Sequence, residues 1–557
     1  MTSNPKPAIS YAPLGRFELI IGFVTSIIFF QLIVGFARVN PKSTEWLLGG
    51  DAAENYLGWE FFRQSSLANF PLGSLPNFGV GFSSSIVFTD SIPLIAIPLK
   101  FLLFAYHGPF QYLGFWLLLC FVLQGFFAQR IISRFSNSKT LRLFGPILFL
   151  IAPIFLYRLT FDGFGHLALT GQFIVLWAID AALSNNPKSR SWIVLTPVSI
   201  LIHFYLFAMV LSFFFAWLIF QFFSNQSKGS VLQIILRNSI YSGVLTLIAF
   251  YFAGGLMANA ATSSGFGVYR SSLTSLIDPQ PSLDTSWSHV LGNVSDLQGS
   301  SEGFAFVGLA SLLLMPFVGY GLKWVFQIRH LSLVSIILVS VALSLFALSP
   351  SISIASRELF SYPVPNALTP IFSAFRSAGR FSWPVVYLIL ILAIIGIERL
   401  KVRNGIFVVL IPLLTVIQVW DSSTAIANTK EHFEESNFVS ALSDPLWSEF
   451  ATDYKHLVVI PPLNNDPNWI DFALLANSFK LTTNAAYVGR TDEARISQLA
   501  VELQGLLERR KFDADTLYVL TNYPPNPLAD ALVGLNGSTL VGGATITRLN
   551  EFVVIAP

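Results

Sequence analysis

Long apolar runs separated by short polar loops fill the first 420 residues of the chain. A helix that crosses a bilayer needs about 20 predominantly apolar residues, so these runs predict membrane spans. Eleven approximate segments follow the pattern: 17–37, 111–129, 143–157, 166–184, 192–203, 205–222, 239–258, 303–321, 331–349, 382–397 and 404–420. The stretch 192–222 is also consistent with one long tilted helix, and His203 and Tyr205 mark the break if there are two.

One further apolar run, 92–106, is harder to assign. It is short for a span and contains Pro93, Pro98 and Lys100. If it crossed the membrane, every later loop would change sides. If 92–106 does not cross the bilayer, 15 Lys and Arg residues fall in short loops on the same side of the membrane as the N-terminus. Nine fall in longer loops on the other side. Because Lys and Arg favour cytoplasmic loops, we predict a juxtamembrane or re-entrant helix here and a cytoplasmic N-terminus.

The pattern changes after residue 420. Short apolar runs at 456–460 and 516–520 predict strands, and 493–510 has the apolar spacing of an amphipathic helix. Residues 545–555 resemble a hairpin. This segment also holds 17 acidic and 9 basic side chains, a much higher charge density than the rest. We therefore predict a transmembrane domain, 1–420, and a soluble α/β domain, 421–557, on the outer side.

Composition narrows the class of protein. Hydrophobic residues make up 53% of the 557 residues and charged residues only 11%, with a mean hydropathy of +0.63. Soluble domains carry about 25% charged residues, so a cytosolic enzyme and a disordered protein are both excluded. The single Cys120 excludes a disulfide framework and a cysteine zinc site. A net charge of +2 gives no sign of nucleic-acid binding.

Three long loops are predicted on the outer face, at 38–91, 258–302 and 350–381, and chemistry is expected there. In the first, Asp51 follows two glycines and precedes an amphipathic helix over 51–63. A carboxylate in a partly dry interface can act as a general base. Alternatively, Asp51 is the helix N-cap and Glu54 completes a capping box. Segment 17–37 is predicted to be an uncleaved signal anchor.

Other charged residues at the outer ends of spans are candidates for substrate binding. Asp90 can orient a hydroxyl, bind a metal with Asp51 or cap the next helix. Arg158 either faces a cavity or pairs with Asp162, and His166 and His203 are either metal ligands or ordinary bundle histidines. Arg270 and Glu302 bracket the second long loop.

Arg376 and Arg380 precede the tenth predicted span. Side chains at i and i+4 share a helix face, and guanidinium groups bind phosphate through paired hydrogen bonds. An anionic ligand is the favoured interpretation, and contact with lipid headgroups is the alternative.

Taken together, the chain resembles the GT-C superfamily of membrane glycosyltransferases. More closely, it resembles an uncharacterised bacterial membrane-domain family related to the YfhO-like proteins. The strings that carry the resemblance are Gly50-Asp51 with 57–63, and 70–73, 84–94, 165–170, 301–304 and 375–381. The resemblance covers nearly the whole chain and is weakest in the C-terminal domain.

The resemblance implies an α-helical polytopic membrane protein of about eleven spans with juxtamembrane helices. It implies an inverting glycosyltransferase that moves a sugar from a polyprenyl-phosphate donor to a cell-envelope glycan or lipid, at the outer face of a bacterial inner membrane. Asp51 would be the base, and Arg376 and Arg380 would bind the departing phosphate, backed by Arg158, His166 and Arg270. Relatives often have two adjacent acids in this loop, but Ala52 follows Asp51 here. No metal or other cofactor is therefore expected.

Two other functions stay open. A lipid or glycolipid transporter would usually show internal repeats with broken helices, and no repeat is visible. A non-enzymatic scaffold would bind a partner through the C-terminal domain and tolerate alanine at the acidic and arginine positions.

Overall fold

The computed structural model describes residues 13–557 except 83–84, 160–164, 185, 187–189, 225–227, 258–265, 282–284, 295–299, 401–403, 435–437, 465, 522–537 and 542. Within these residues the chain forms a helical body followed by a sheet domain.

The body begins with helices that match the apolar runs. Their bounds are α1 Arg16–Ile33, α2 Gly50–Gln64, α3 Pro93–Leu102, α4 Leu113–Ser133, α5 Lys139–Leu150, α6 Pro153–Leu156, α7 Phe173–Ala182, α8 Ser191–Ile202, α9 Phe204–Ser224 and α10 Lys228–Phe252. After the second long loop come α11 Leu309–Leu313, α12 Met315–Gln327 and α13 Leu331–Ala347, then the hairpin β1 Ser351–Ile354 and β2 Arg357–Ser361. The body ends with α14 Thr369–Ser373, α15 Trp383–Arg399, α16 Asn404–Asp421 and α17 Ser423–Glu434.

Five of the described helices are long and apolar enough to cross a membrane, and seven spans result if each of two bent helix pairs counts as one. The five are 16–33, 113–133, 204–222, 232–252 and 378–399. Each of the eleven predicted segments overlaps a helix, but several of these helices are short. The protein is therefore a multi-pass membrane protein, and a count of eleven stays a prediction.

The two ambiguous apolar stretches are resolved as follows. Helix α3 has only 10 residues. Such a helix is about 15 Å long, half of the hydrocarbon thickness. The stretch 192–222 is broken, because His203 is extended between α8 and α9 with φ −165° and ψ 139°. The helices also differ in burial: most of the α15 span is buried, whereas most residues in the spans of α1 and α10 are not.

The C-terminal domain is a six-stranded mixed sheet with helices. Its elements are α18 Leu446–Thr452, β3 His456–Ile460, α19 Trp469–Phe479, β4 Thr482–Thr483, α20 Glu493–Arg509, β5 Thr516–Leu520, β6 Ser538–Val541, β7 Ala544–Leu549 and β8 Phe552–Ala556. The strand order is β4-β3-β5-β8-β7-β6, with β3 parallel to β4 and β5 and the remaining pairs antiparallel. The strands predicted at 456–460 and 516–520, the helix and the hairpin are confirmed. The domain boundary at residue 420 stays a prediction.

The sheet domain rests on the first long loop of the body. Thr483 in edge strand β4 donates its N–H to the carbonyl of Asn77 at 3.1 Å and accepts from the N–H of Val80 at 3.0 Å. Phe78, which lies between Asn77 and Val80 in the loop, packs beside Trp469 of α19. An unpaired sheet edge is a site of unwanted pairing, and here the loop covers it. The contact fixes the C-terminal domain beside α2.

Candidate functional site

A cavity of about 600 Å³ lies between the long loops of the body and the C-terminal domain. Six of the nine sequence-predicted site residues line it: Asp51, Glu54, Asp90, His166, Arg376 and Arg380. Arg158 and Glu302 lie directly behind its wall through contacts with Arg380 and His166. Residues that are far apart in the sequence therefore meet at one place.

The position of Asp51 depends on the start of α2. Gly50 has φ 53°, a left-handed conformation that suits glycine, and the helix begins at this residue with Gly49 as its N-cap. Asp51 therefore lies inside the first turn and makes no capping hydrogen bond, so the predicted N-cap role and capping box are wrong. Its carboxylate Oδ2 instead lies 2.8 Å from Nδ1 of His166.

Two close backbone approaches hold α2 against the neighbouring loops. A Cβ on Gly58 would lie 2.4 Å from the side chain of Thr89, so only glycine allows this contact. The hydroxyl of Ser91 then donates to the carbonyl of Asn55 at 2.7 Å. One turn earlier on α2, a Cβ on Gly165 would lie 3.3 Å from Cβ of Ala52. These contacts place the loops that carry Asp90 and His166 against the same helix.

Glu302 is the centre of a buried charge cluster. Its Oε2 accepts from Nε of Arg380 at 2.7 Å and from Nη1 of Arg158 at 3.1 Å, while Oε1 accepts from Nη2 of Arg380 at 2.9 Å. Oε1 also lies 3.2 Å from Nε2 of His166. Burial by itself would raise the pKa of the Glu302 carboxyl, but Arg380 and Arg158 outweigh burial and hold the pKa well below its usual value.

The cluster forms because the backbone segments at residues 270–271, 303 and 379 pass close to one another. A Cβ on Gly303 would lie 2.1 Å from the carbonyl oxygen of Arg270, and one on Gly379 would lie 2.4 Å from Cα of Gly303. The hydroxyl of Ser271 donates to the carbonyls of Gly303 and Gly379, at 3.1 Å each. Glu302 and Arg380 each adjoin one of these glycines, so the crossing brings their side chains together.

Arg376 and Arg380 do not share a helix face, so the predicted i, i+4 arrangement is wrong. Helix α14 ends at Ser373, and a separate 3-10 helix covers Ala378–Ser382. Between them Ser377 has ψ 60° and donates its N–H to the hydroxyl of Tyr205 at 2.8 Å, which interrupts helical geometry. Arg380 turns inward to Glu302 and over the Tyr205 ring, whereas Arg376 faces the cavity.

Asp90 has a left-handed backbone with φ 49° and ψ 19°. The N-cap of α3 is Ile92 and no side chain caps the helix, so the predicted capping role of Asp90 is wrong. Its Oδ1 lies 3.6 Å from Nε2 of His203. Burial would raise the pKa of Asp90, but the charges of His203, His166 and Arg380 outweigh burial and lower the pKa to about 2. Asp90 is therefore a carboxylate at neutral pH.

Glu54 behaves differently from the other acids. Its side chain lines the cavity with 2% exposure, and its Oε1 has no hydrogen-bond partner among the residues that the structure describes. Burial, followed by the charges of Asp90 and Asp51, raises the pKa of the Glu54 carboxyl well above its usual value. A neutral carboxyl can donate a hydrogen bond to a ligand oxygen, which a carboxylate cannot do.

The remaining predicted residues are accounted for as follows. Arg270 does not line the cavity; its Nη1 donates to the carbonyl of Gly267 and its Nη2 lies 3.9 Å from Glu358. Asp162, the predicted partner of Arg158, lies outside the described residues. His166 and His203 each pair with an aspartate. No group of three His, Cys, Asp or Glu side chains suited to a metal is found in the described part of the chain.

Sequence reasoning missed two groups of cavity residues. One is a segment of the C-terminal domain, with Tyr487, Arg490 and Arg495. The other is an apolar wall from α8, α9 and the end of α10, formed by Ile200, Ile202, Phe204, Phe250, Leu256 and Met257. Neither group carries a recognisable sequence motif. The apolar residues lie in runs that resemble membrane spans, and the sequence around Arg490 resembles that of an ordinary protein surface. The cavity therefore has a charged side and an apolar side.

Comparison with protein families gives a match over most of the chain. Residues 23–423 match the model described as "Domain of unknown function (DUF6311)", and residues 446–557 match the model described as "DUF6311 C-terminal domain". The chain belongs to the DUF6311 family. No curated protein matches this DUF6311 member.

Among solved structures, the DUF6311 chain is similar to those of the oligosaccharyltransferase of Archaeoglobus fulgidus. The apo form has a TM-score of 0.41 at 10% identity and covers 90% of this chain and 69% of that one. The complex of that enzyme, AglB, with an inhibitory peptide and a dolichol-phosphate has a TM-score of 0.40 at 10% identity, covering 91% and 69%. A form tethered to an acceptor peptide has a TM-score of 0.40 at 11% identity, covering 90% and 69%.

The relation to YfhO-like proteins is not confirmed.

Proposed function

We propose that this DUF6311 protein is an inverting glycosyltransferase that uses a polyprenyl-phosphate-linked sugar as donor. The observation that carries the proposal is the composition of this cavity, where the Asp51 carboxylate, arginines and an apolar wall meet. An arginine can bind the phosphate of such a donor, and the apolar wall can receive the first isoprene units of its chain. A soluble sugar nucleotide would not need that wall.

In the proposed reaction, a hydroxyl oxygen of the acceptor attacks the sugar C1 from the side opposite the phosphate. The new C1–O bond forms as the C1–O bond to phosphate breaks, and its electron pair stays on the phosphate oxygen. The hydroxyl proton passes to the Asp51 carboxylate as general base. The products are an inverted glycoside and a polyprenyl phosphate, whose negative charge arginine stabilises.

Neighbouring groups support Asp51 in this role. The His166 imidazole lies between two carboxylates: its Nδ1 contacts Asp51 and its Nε2 contacts Glu302. It can therefore hold the Asp51 carboxylate in a fixed orientation. Burial raises the pKa of the Glu54 carboxyl, and in its protonated form this side chain can donate a hydrogen bond to a sugar or acceptor hydroxyl. The acceptor is proposed to be a cell-envelope glycan or lipid at the outer face of a bacterial inner membrane, with the C-terminal domain on that side.

The test is sugar transfer by the purified full-length protein in proteoliposomes. A panel of radiolabelled polyprenyl-phosphate hexoses is supplied with an envelope extract, and release of free polyprenyl phosphate is measured. We expect Asp51→Asn to lower turnover by about 10²–10⁴-fold, because the variant lacks the base. Glu54→Gln, which keeps a neutral donor, should lose far less.

Glu358→Gln is the control, because this carboxylate is half-exposed in β2 and does not line the cavity. Melting temperatures of the variants should stay near that of the wild type. Full turnover in Asp51→Asn would exclude Asp51 as the base. Movement of the donor across the vesicle membrane without its consumption would instead favour a transporter.

A further inference from the structure

A segment of the C-terminal domain, residues 487–495, forms part of the cavity wall beside the long loops of the body. It is held from both sides. The N–H of Gly489 donates to the carbonyl of Phe88 at 2.8 Å, and the guanidinium of Arg490 donates to the carbonyl of Ala374. Within the C-terminal domain, Asn464 makes two hydrogen bonds to the backbone of Val488, at 2.9 and 3.0 Å. The segment is therefore a fixed part of the site.

The four arginines that line the cavity differ in what balances their charge. Arg380 is neutralised by Glu302 at 2.7 Å, and Arg495 pairs with Glu502 at 3.2 Å. Arg376 and Arg490 form no ion pair with any carboxylate in the described ranges of the chain. Among the described residues, the two cavity arginines without an ion-pair partner therefore come one from the body and one from the C-terminal domain, and they share the cavity with the acids Asp51, Asp90 and Asp492.

These two guanidinium groups affect each other. Burial and the charge of Arg376 lower the pKa of the Arg490 guanidinium, Tyr205 and the Asp90 carboxylate act in the opposite sense, and the pKa stays below its usual value. Two like charges on a half-buried wall are unfavourable unless an anion lies between them. A phosphate has several oxygens in different directions and can accept from both groups at once.

Resting on the proposed function, we propose that the donor's phosphate is bound between Arg376 of the helical body and Arg490 of the C-terminal domain. The C-terminal domain thus completes the donor site. Arg380, which the sequence favoured as the partner of Arg376, holds the wall through Glu302. Arg376 and Arg490 would supply the charge that the departing phosphate needs.

The proposal is tested by binding of three probes to the purified full-length protein in detergent: farnesyl phosphate, farnesol and inorganic phosphate. Arg490→Gln and Arg376→Gln should each weaken farnesyl phosphate binding by about 10-fold or more, as expected for loss of a charge-assisted contact. Arg509→Gln is the control, because Arg509 is exposed at the end of α20 and does not line the cavity. Its affinity should equal that of the wild type.

Farnesol binding should be weak and insensitive to Arg490→Gln, and inorganic phosphate should bind more weakly than farnesyl phosphate. Equal affinity for inorganic phosphate would overturn the assignment to a lipid-linked phosphate. Unchanged farnesyl phosphate binding in Arg490→Gln would overturn the role of the C-terminal domain. If Arg490→Gln does not fold, Arg490→Lys serves instead, with affinity expected to fall by a smaller factor, and wild-type affinity there would contradict bidentate guanidinium binding.

The two proposals fail separately. If no sugar is transferred but farnesyl phosphate binding depends on Arg490, the phosphate site stands and the transferase proposal falls. If transfer depends on Asp51 while Arg490→Gln binds farnesyl phosphate normally, the transferase proposal stands and the site between the two domains falls.

Discussion

The cluster around Glu302 and the cavity wall formed by Arg376 and Arg490 both use arginine, but in opposite electrostatic states. In the cluster, Arg158 and Arg380 share one buried carboxylate. On the cavity wall, Arg376 and Arg490 have no such partner among the described residues. The comparison indicates that arginines already paired with a carboxylate support the structure. Arginines without such a partner are the better candidates for binding an anionic ligand.

The largest expected effect on stability comes from removing Glu302, the carboxylate that pairs with Arg158 and Arg380. Glu302→Ala leaves two buried guanidinium groups without their carboxylate, and loss of one partner of a buried ion pair costs about 3–5 kcal/mol. The free energy of unfolding in detergent should fall by that order. Glu358→Ala is the matched control, since Glu358 is half-exposed and 3.9 Å from Arg270. Equal stability of Glu302→Ala and wild type would show that the cluster is not structural.

The contribution of Glu302 to stability has an expected pH dependence. Because the pKa of Glu302 is lower in the folded protein than in the unfolded chain, its contribution is complete above the unfolded pKa and is lost as pH falls through the folded pKa. The stability difference between wild type and Glu302→Gln should therefore be largest at neutral pH and shrink in acid. A constant difference across this range would contradict the ion-pair account.

A smaller effect is expected from the backbone crossing that assembles the cluster. In Gly379→Ala the added Cβ would meet Cα of Gly303 at 2.4 Å, so the backbone must shift. Overpacking of this kind costs about 1–3 kcal/mol. The melting temperature should fall, whereas Gly319→Ala in α12, where a Cβ has open space, should leave it unchanged or raised. Equal melting of the two variants would exclude a structural role for the crossing.

The smallest effect on stability is expected at the unpaired wall. Arg376→Gln breaks no ion pair and removes repulsion with Arg490, so the free energy of unfolding should change by no more than about 0.5 kcal/mol. The same measurement on Arg380→Gln should show a loss comparable to that of Glu302→Ala. If Arg376→Gln proves as destabilising as Arg380→Gln, the contrast between the two regions is wrong.

The apolar runs predicted most of the helices, and the break at His203 was visible because a polar residue interrupts an apolar stretch. The errors occurred at helix ends. Asp51 and Asp90 have the side chains of good N-caps, but Gly50 starts α2 one residue early and Ile92 is the N-cap of α3. Arg376 and Arg380 have helical spacing, but a hydrogen bond from Ser377 to Tyr205 interrupts the helix. Local preference is weak at these ends, and contacts with distant residues decide.

The amino-acid sequence by itself determined that this is a multi-pass membrane protein with a separate α/β domain, because apolar periodicity and charge density are local properties of the chain. It also marked six of the side chains that line the cavity, since isolated charges beside spans are costly. Only the tertiary structure decided which arginine is neutralised and that Arg490 joins Arg376 at the cavity. Charge compensation depends on distances between side chains 78 to 144 residues apart in the chain, and folding alone sets those distances.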